Sequence, residues 1–495
     1  MVRLVEPRHY ATLEDYESTA HLNGTVSELR REAKTVLPSL QDRRVWMVSS
    51  TERGGGVAES LPPFLTLLRA LGVQASWLVM ETEDADFFRL TKRLHNLIHG
   101  EGDTTLGPAE RELYDRVSHE NAEAIQPYLS PGDVLIVHDP QPMGAGARLR
   151  TNMDIAAVWR CHIGLDQQTP ETQAAWDFLD PYAAIYDHAV FTASEYIPSC
   201  LTGRAAIIHP AIDPLSHKNR ELSVHKVVGI LANGAWIRPP GEMLTPPFPE
   251  TTKRLQRDGT WAPATEPEDI GLLYRPIITQ VSRWDRLKGF LPLMQAFAIL
   301  KQDFAHRIGL SERHRQTLQL VRLVLAGPDP KSVDDDPEGL EVLGELRAAY
   351  AAMDAPLQDD IAIISMPMSS RKYNALLINV LQRCSDIVAQ NSLQEGFGLT
   401  VTEAMWKHAA IVASQATGIR QQIRTGLDGW LVANPEDPKD IAEALDALLG
   451  NPWKREAFGK SAQLRVHGTF LVFDEVRHWL ALMAEVAKAR WPLSP

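Results

Sequence analysis

The amino-acid sequence predicts an α/β protein with two domains, each a parallel sheet covered by helices on both faces. In both halves of the chain, short apolar runs typical of buried strands alternate with helical patterns, as in a parallel sheet. Residues 236–270 interrupt this alternation with a proline- and charge-rich stretch that has no clear periodicity. The length of 495 residues fits two large domains or three smaller ones, at about 150 residues per domain.

The domain boundaries are predicted from that interruption. We expect an N-terminal Rossmann-like domain over residues 1–235 and a C-terminal one over 271–470, with the two facing a central cleft. Residues 236–270 are interpreted as a linker or surface insertion, and residues 471–495 as a helix that packs back toward the N-terminal domain. Ligands of open α/β sheets bind at the carboxyl ends of the strands, so functional residues are expected in the loops there.

The N-terminal half begins with a loop and a helix, followed by an apolar strand over residues 44–50. Residues 54–56, all glycine, then precede a helical pattern for which Gly72 is the predicted C-cap. A second strand over 75–80 completes a βαβ unit. Further strands of this half are predicted at 133–138, 156–162, 189–192 and 205–209.

The C-terminal half restarts the same alternation after the interruption. Helices are predicted at 290–301 and 373–384 from their apolar periodicity. The predicted strands of this half are 276–282, 322–327, 361–365, 387–389 and 410–413.

Composition and charge exclude several classes of protein. The formal net charge is −13, from 50 Lys and Arg against 63 Asp and Glu, which argues against general binding to nucleic acid or to anionic membranes. A local basic pocket for one phosphate-bearing ligand remains compatible with this charge. The three cysteines, Cys161, Cys200 and Cys384, match no metal spacing and are predicted to be reduced. Without an apolar N-terminal run or a membrane-spanning stretch, we expect a cytoplasmic protein.

The strongest motif places two carboxylates on either side of a glycine turn. Seven residues separate Glu395 from Glu403, and Gly396 and Gly398 between them allow a ligand to approach the backbone closely. Residues 400–403, Thr-Val-Thr-Glu, have the form of a capping box, which predicts a helix beginning near Thr400. Such a helix start suits a phosphate, and the carboxylates suit sugar and ribose hydroxyls. The alternative is that Glu403 only caps the helix and the glycines only turn the chain.

A second motif places Arg283 and Lys288 on the loop between the predicted strand at 276–282 and the helix at 290–301. Two cations at the carboxyl end of a strand can hold a diphosphate and stabilise it as a leaving group. A solvated basic loop is the alternative. The glycine loop at 54–56 also fits phosphate or sugar contact, but it matches neither G-x-G-x-x-G nor the P-loop, which disfavours a dehydrogenase or an ATPase.

Polar residues also follow the strands of the N-terminal half. His138 with Asp139, and Arg160 with His162, make a sugar-acceptor pocket plausible, although a single histidine is more often structural. The acidic run 334–336 could suggest a metal site, but no second cluster of ligands lies near it in the sequence, so a solvated loop is expected.

Several segments together resemble the retaining glycosyltransferases of family 4, which have the GT-B fold of two Rossmann-like domains. The general resemblance is carried by SRWDRLKG and EGFGLTVTE. A closer resemblance, to the trehalose-synthesising branch that includes trehalose synthases and retaining trehalose phosphorylases, is carried by WMVSSTERGGGVAESL, VHDPQPMG, VWRCHIGLD, HPAIDPLSHKN and EGFGLTVTEAMWK. The matching segments run from about residue 45 to about residue 432.

The resemblance implies roles for individual residues. The C-terminal domain would bind the donor and the N-terminal domain the acceptor. Arg283 and Lys288 would bind the donor phosphate, Glu395 the hydroxyls of the donor glucose, and Glu403 the nucleotide ribose. The remaining implied residues are Gly55, Gly56, Gly396, Phe397, Gly398 and Leu399 toward the donor, Asp139 and Arg160 toward the acceptor, and His162 as a catalytic residue lining the sugar pocket.

The function implied is a retaining glucosyltransferase that makes α,α-trehalose from a nucleotide-diphosphate glucose and glucose, or runs in reverse from trehalose and a nucleoside diphosphate. No tightly bound cofactor is expected, with Mg²⁺ only accompanying the nucleotide, and neither nucleic acid nor membrane is an expected partner. A homodimer remains open.

Three alternative functions are left. They are a retaining trehalose phosphorylase, transfer to another hexose, and a catalytically silent GT-B protein that binds sugar or nucleotide. The silent alternative rests on Gly164 and Thr417, where the sequence departs from the family pattern.

Overall fold

The structure, a computed structural model, describes residues 2–6, 11–52, 55–239, 241–304, 307–330 and 337–491. It divides into two compact units, one formed by Met1–Asp213 with Phe470–Pro495 and the other by Pro214–Thr469. The division after Asp213 lies earlier than the boundary predicted at residue 235. The difference arises because residues 214–235, including a helix, pack with the second unit.

The first unit is built on one sheet with helices between and after its strands. Its strands are β1 (Val2–Val5), β2 (Arg44–Ser49), β3 (Gln74–Met80), β4 (Val134–His138), β5 (Ala156–Arg160), β6 (His188–Phe191) and β7 (Ala205–Ile207). Its first helices are α1 (Leu13–Glu17), α2 (Asn23–Val36), α3 (Gly55–Ala70), α4 (Ala85–Ile98), α5 (Pro108–Ile125), α6 (Met143–Asn152) and α7 (Pro170–Ala183).

The second unit repeats this plan. Its strands are β8 (Lys253–Leu255), β9 (Trp261–Pro263), β10 (Ile277–Val281), β11 (Arg322–Pro328), β12 (Ile361–Met366), β13 (Ile387–Gln390), β14 (Ala410–Ala413) and β15 (Trp430–Leu431). Its helices are α8 (Val224–Asn233), α9 (Phe290–Asp303), α10 (Glu312–Leu320), α11 (Pro337–Ala351), α12 (Ala355–Asp360), α13 (Arg371–Arg383), α14 (Leu399–Trp406), α15 (Thr417–Gln422), α16 (Pro438–Leu449) and α17 (Pro452–Thr469). The last helix, α18 (Val472–Arg490), returns to the first unit and packs against α2 and α3.

The sheet of the first unit has the strand order β1-β3-β2-β4-β5-β6-β7. All neighbours are parallel except the edge strand β1, which pairs antiparallel with β3. The chain leaves β2 toward β3 on one side and then crosses to β4 on the other. The carboxyl ends of β2 and β4 therefore flank the point where the strand order reverses, which is where open α/β sheets bind ligands.

The sheet of the second unit has the order β15-β14-β13-β10-β11-β12-β8-β9 and is parallel from β15 to β12. The segment at 236–270, predicted as a linker or surface insertion, contributes β8 and β9 to this sheet as antiparallel edge strands and so belongs to the second unit. Arg254 on β8 is buried and donates hydrogen bonds to the carbonyl oxygens of Asp359, at 3.2 Å, and Ile361, at 3.3 Å. These bonds and the strand pairing fix a segment that has little apolar signal of its own.

Both faces of the second sheet are covered. On β11, Leu323 and Leu325 pack into one apolar cluster, whereas Val324 and Ala326 pack into another on the opposite face. This alternation between two cores explains why β10, β11 and β12 are buried along almost their whole length and are mostly apolar. The predicted class, two parallel sheets with helices on both faces, is confirmed.

Among the described residues, each helix is too short or too polar to cross a membrane.

Candidate active site

The candidate site of the second unit lies where its strand order reverses. The chain runs from β10 to β11 and β12 on one side, whereas β13 pairs with β10 on the other side. The loops that follow β10 and β13 contain Lys288 and Glu395, respectively. The topology thus brings the two strongest sequence motifs to the same edge of one sheet, at the position that favours ligand binding.

Hydrogen bonds join these two loops. The side chain of Gln280, at the end of β10, donates to the carbonyl oxygen of Lys288 at 2.7 Å and accepts from the backbone nitrogen of Asn391 at 3.0 Å. Asn391 also donates through Nδ2 to the carbonyl oxygen of Gly289 at 3.1 Å. Gly289 has a φ of 61°, and a Cβ there would lie 2.1 Å from the carbonyl oxygen of Asn391. The loops therefore approach so closely that only glycine fits at this position.

Lys288 and Glu395 form an ion pair within the site. Lys288 Nζ lies 2.8 Å from Glu395 Oε2, and the two side chains are only 15% and 14% exposed. Ser392 Oγ donates to the same carboxylate oxygen at 3.1 Å. Arg283, on the loop that carries Lys288, is 68% exposed and lies 4.0 Å from Asp285 Oδ2. The site thus has one fixed and one exposed cation next to a carboxylate, which suits a ligand with both phosphate and hydroxyl groups.

The glycine turn after Glu395 ends in a left-handed residue that begins α14. Gly398 has φ 85° and ψ 64° and is the N-cap of this helix, without a side-chain hydrogen bond. The predicted capping box at Thr400 is therefore wrong, because the N-cap is Gly398, two residues earlier. Thr400 is the second helical residue, and Glu403 lies a full turn from the start, where it cannot act as a capping residue.

The start of α15 packs against this glycine turn. A Cβ on Gly418 would lie 2.4 Å from Phe397 Cα, and its backbone nitrogen donates to the carbonyl oxygen of Glu395 at 3.1 Å. Gln422 Nε2 donates to the carbonyl oxygens of Phe397 and, at 3.3 Å, of Gly398. No local sequence pattern indicates the role of Gly418 and Gln422, because that role depends on a close approach of two backbone segments.

Glu403 lies in a buried polar cluster on the inner side of α14. Its side chain is 7% exposed, and its Oε1 lies 3.3 Å from Lys218 Nζ. Lys407, one turn later, donates to the carbonyl oxygen of Glu403 at 3.0 Å and to Asn219 Oδ1 at 3.1 Å. Burial lowers the pKa of Lys407 to about 7. Lys218 and Lys407 were not predicted as site residues. For Lys407, the spacing of four from Glu403 did indicate that both lie on the same face of a helix.

Asp139 organises the loop after β4 in the first unit. It has a φ of 64°, and its backbone nitrogen donates to the carbonyl oxygen of Arg160 at 2.7 Å. Its carboxylate oxygen Oδ1 accepts from the backbone nitrogen of His162 at 2.8 Å. Burial raises the pKa of Asp139 to about 6. The carboxylate of Asp139 therefore fixes the backbone at His162.

Arg160 lies beneath this loop and does not line its surface. The residue is 1% exposed, and its guanidinium donates to Thr192 Oγ1 at 3.3 Å. Burial lowers the pKa of Arg160, although Glu475 and Asp139 oppose that shift. The expected direct contact of Arg160 with an acceptor sugar does not fit this position, whereas an electrostatic effect on the neighbouring groups does.

The two histidines predicted near the acceptor are in contact. His138 Nδ1 lies 3.0 Å from His162 Nε2, and the two rings are nearly parallel, with 13° between their planes. Burial, with a further contribution from the Arg160 charge, lowers the pKa of His138 to about 3 and that of His162 well below its usual value. Both imidazoles are therefore neutral at neutral pH.

The remaining predicted residues are placed as follows. Gly55 and Gly56 open α3, after β2, and Gly56 is exposed. Gly54 and the acidic run 334–336 lie outside the described residues. Within the described ranges, His, Cys, Asp and Glu form no group of three that could hold a metal ion. A Cβ on Gly164 would lie 2.2 Å from Tyr196 Cγ, so the packing of Tyr196 accounts for glycine at this position.

Comparison with known proteins assigns the class of protein. Residues 47–198 match the family model of the trehalose synthase N-terminal domain, and residues 271–465 match that of glycosyl transferases group 1. With its two α/β sheets and the ion pair at the reversal point, the chain is a glycosyltransferase of the GT-B fold.

Full-length relatives assign the family. The chain is 32% identical over 476 residues to the trehalose synthase of Pyrococcus horikoshii, covering 95% of each chain. It is 31% identical over 496 residues to that of Rubrobacter xylanophilus, covering 98% of this chain and 99% of the relative. The chain belongs to the trehalose synthase family.

The fold matches an α,α-trehalose-phosphate synthase (UDP-forming) from Burkholderia vietnamiensis with a TM-score of 0.63 and 17% identity, covering 92% of this chain and 100% of that one. This match confirms the predicted GT-B fold. A trehalose phosphorylase of Pleurotus pulmonarius is 25% identical over 418 residues, which cover 81% of this chain and 51% of the phosphorylase.

Proposed function

We propose that this protein is a retaining glucosyltransferase that transfers glucose from a nucleotide-diphosphate glucose to free glucose and so forms α,α-trehalose. The observation that carries the proposal is the Lys288–Glu395 pair, 2.8 Å apart at the reversal point of the second sheet. The trehalose synthases named above, which align over nearly the whole chain, support trehalose as the product.

In the proposed reaction, the two cations of this site stabilise the leaving diphosphate. Lys288 directs its ammonium, and Arg283 its guanidinium, toward the phosphate oxygens on which charge develops as the bond from C1 to the phosphate breaks. Glu395 orients Lys288 and accepts hydrogen bonds from hydroxyl groups of the donor glucose. Because Lys288 and Ser392 both hold the same oxygen of Glu395, this carboxylate suits orientation better than nucleophilic attack.

The acceptor hydroxyl attacks C1 from the face that the phosphate leaves, so the configuration at C1 is retained. The acceptor proton passes to the phosphate oxygen that leaves C1, and the leaving group departs as a nucleoside diphosphate. The new bond joins C1 to the acceptor oxygen. Catalysis then depends mainly on positioning and on electrostatic stabilisation, with no covalent intermediate on the protein.

Glu403 is the proposed ligand of the nucleotide ribose. Its carboxylate is held beside Lys218 at 3.3 Å, and Lys407 fixes its backbone carbonyl. A carboxylate held in this way can accept hydrogen bonds from a diol without first having to be ordered.

The Glu403→Gln variant tests the ribose assignment. The substitution keeps the size of the side chain but removes the charge, and hydrogen bonds to charged groups contribute about 1.5–3 kcal/mol. We therefore expect nucleoside diphosphate to bind about 10- to 100-fold more weakly, as measured by isothermal titration calorimetry. Glu221→Gln is the matched control, because Glu221 is 63% exposed and pairs only distantly with Arg383, at 3.6 Å. Equal nucleotide affinities of Glu403→Gln and wild type would refute the ribose role.

No tightly bound metal is proposed for this enzyme, because two cations and a helix start are available to neutralise the diphosphate. Chelation by EDTA followed by desalting is expected to leave trehalose formation within about twofold of its starting rate, with Mg²⁺ acting only on the nucleotide in solution. The measurement is the initial rate before and after treatment. Complete loss of activity that added metal restores would contradict this proposal.

A retaining trehalose phosphorylase remains a second candidate, because the same cations could bind inorganic phosphate and a phosphorylase is among the relatives. One experiment separates the candidates. Purified protein is incubated with glucose and UDP-, ADP- or GDP-glucose in separate reactions, and in parallel with trehalose and phosphate. Non-reducing disaccharide in a nucleotide-sugar reaction supports the synthase, whereas glucose 1-phosphate formed only from trehalose and phosphate supports the phosphorylase. Binding of nucleotide without turnover in any reaction would support the silent alternative.

A further inference from the structure

His138 contacts His162 through one ring nitrogen and is buried around the other. His138 is 5% exposed, and its Nδ1 lies 3.0 Å from His162 Nε2. Its Nε2 is fully buried and has no hydrogen-bond partner among the described residues. His162 is only half-buried, and its Nδ1 forms no hydrogen bond with a described residue. The pair therefore connects a buried nitrogen on one ring to an accessible nitrogen on the other.

Two arrangements of protons are compatible with this contact when both rings are neutral. In the first, His138 Nδ1–H donates to His162 Nε2, so that His138 Nε2 carries only a lone pair and His162 carries its proton on Nδ1. In the second, His162 Nε2–H donates to His138 Nδ1, and the proton of His138 is then on the buried Nε2. The second arrangement leaves an N–H group buried without an acceptor, which is rarer in proteins than an unpaired acceptor.

The charge on Arg160 favours the first arrangement as well. His138 and Arg160 are directly paired residues on the neighbouring strands β4 and β5, so their side chains leave the same face of the sheet. Arg160 is 1% exposed, and its Nη1 is also buried without a partner among the described residues. A lone pair on His138 Nε2 is attracted by this guanidinium, whereas an N–H group on the same atom is repelled.

The other charged groups around Arg160 do not change this assignment. The negative charges of Glu475 and Asp139 raise the pKa of Arg160 and so stabilise its positive charge. The carboxylate of Asp139 binds the backbone nitrogen of His162 and not its ring. The contacts of the His162 ring therefore leave His138 as the group that selects its tautomer.

We propose that His138 is a positioning residue that holds His162 in its Nδ1–H tautomer, so that His162 presents a permanent hydrogen-bond donor to a sugar hydroxyl oxygen. The part that concerns the sugar rests on the proposed function, whereas the tautomer does not. A neutral imidazole fixed in this way donates over the whole working pH range. It also selects for a hydroxyl that can accept at the matching position of the hexose.

The tautomer is measured directly by NMR on the full-length protein labelled with ¹⁵N-histidine. Two-bond ¹H–¹⁵N correlation spectra distinguish Nδ1–H from Nε2–H imidazole, and spectra of His162→Asn and His138→Phe assign the two residues by difference. We expect His162 to show the Nδ1–H pattern in the wild type, and a mixture or the Nε2–H pattern in His138→Phe. A wild-type His162 with its proton on Nε2 would overturn the proposal, whether or not the protein makes trehalose.

Matched substitutions test the consequence for activity. An asparagine amide can replace the Nδ1–H donor of a histidine, whereas phenylalanine has only the ring shape. At position 138, we expect the phenylalanine variant to lose about tenfold in kcat, the effect of one misdirected hydrogen bond. His138→Asn is expected to keep the Nδ1–H signal of His162 and to recover most of that loss.

Position 162 offers the complementary pair. The amide of asparagine reproduces the position of Nδ1 and that of glutamine the position of Nε2, so His162→Asn should be more active than His162→Gln. The reverse order at position 162 would contradict the Nδ1–H donor of His162. Equal losses in His138→Phe and His138→Asn, with an unchanged His162 tautomer, would show that His138 only fills space. Melting temperatures of all four variants separate these outcomes from loss of folding.

Discussion

Replacement of Lys288 by alanine is expected to lower turnover by about 10²–10³-fold, the usual effect of removing one preorganised group aimed at a developing charge. Lys288 is 15% exposed and fixed by Glu395 at 2.8 Å, so its ammonium needs no reordering when the diphosphate leaves. Its loss also leaves the Glu395 carboxylate without its cation, close to where the phosphate departs. The measurement is kcat for trehalose formation at saturating donor and acceptor.

Arg286→Ala is the matched control for Lys288→Ala. Arg286 belongs to the same short 3-10 turn, Arg286–Lys288, but it is 57% exposed and pairs with Glu345 at 2.6 Å. Exposed pairs of this kind contribute about 0–1 kcal/mol to stability. We expect the control to keep its activity, and a Lys288→Ala variant with wild-type turnover would remove the donor-phosphate role from this loop.

Arg283→Ala is expected to lower turnover by about 10²-fold or more, because its guanidinium is the second cation for the same diphosphate. With 68% of its side chain exposed and Asp285 4.0 Å away, Arg283 is held less firmly than Lys288. The effect should therefore appear partly in KM for the donor. Arg283→Lys keeps the charge but not the planar fork, and we expect it to recover only part of the activity.

The double variant tests whether both cations act on one phosphate group. Groups that share a partner are not additive, so the loss in Arg283→Ala/Lys288→Ala should be smaller than the product of the two single losses. Fully multiplicative losses would indicate that the two residues act at separate places.

The fold was predictable where strands are mostly apolar and buried. All five residues of β4 and of β10 are buried, and such runs indicate strands that are covered on both faces. The edge strands β1, β8 and β9 were missed, because they have three or four residues and contain exposed or charged side chains such as Arg3 and Lys253. β1 and β8 are held by pairing with β3 and β12, which lie far away in the sequence, and β9 pairs with β8.

The candidate site was predictable in its residues but not in its contacts. Lys288 and Glu395 were singled out separately, but their pairing depends on β13 lying beside β10. The Thr-Val-Thr-Glu pattern at 400–403 fits a capping box, yet the left-handed Gly398 starts the helix instead. The contact between His138 and His162 likewise requires two adjacent strands, so no local motif could show it.

The most direct test of the central claim follows the anomeric protons during the reaction. The protein is mixed with glucose and each α-configured nucleotide-diphosphate glucose, and ¹H NMR spectra are recorded from the first minutes, with Lys288→Ala as the control. The account predicts that the α-anomeric signal of the donor is replaced by the single α-anomeric signal of α,α-trehalose as nucleoside diphosphate appears, and that the control is slower by about 10²–10³-fold. A β-linked product, or no disaccharide from any nucleotide sugar while trehalose and phosphate react readily, would contradict the account.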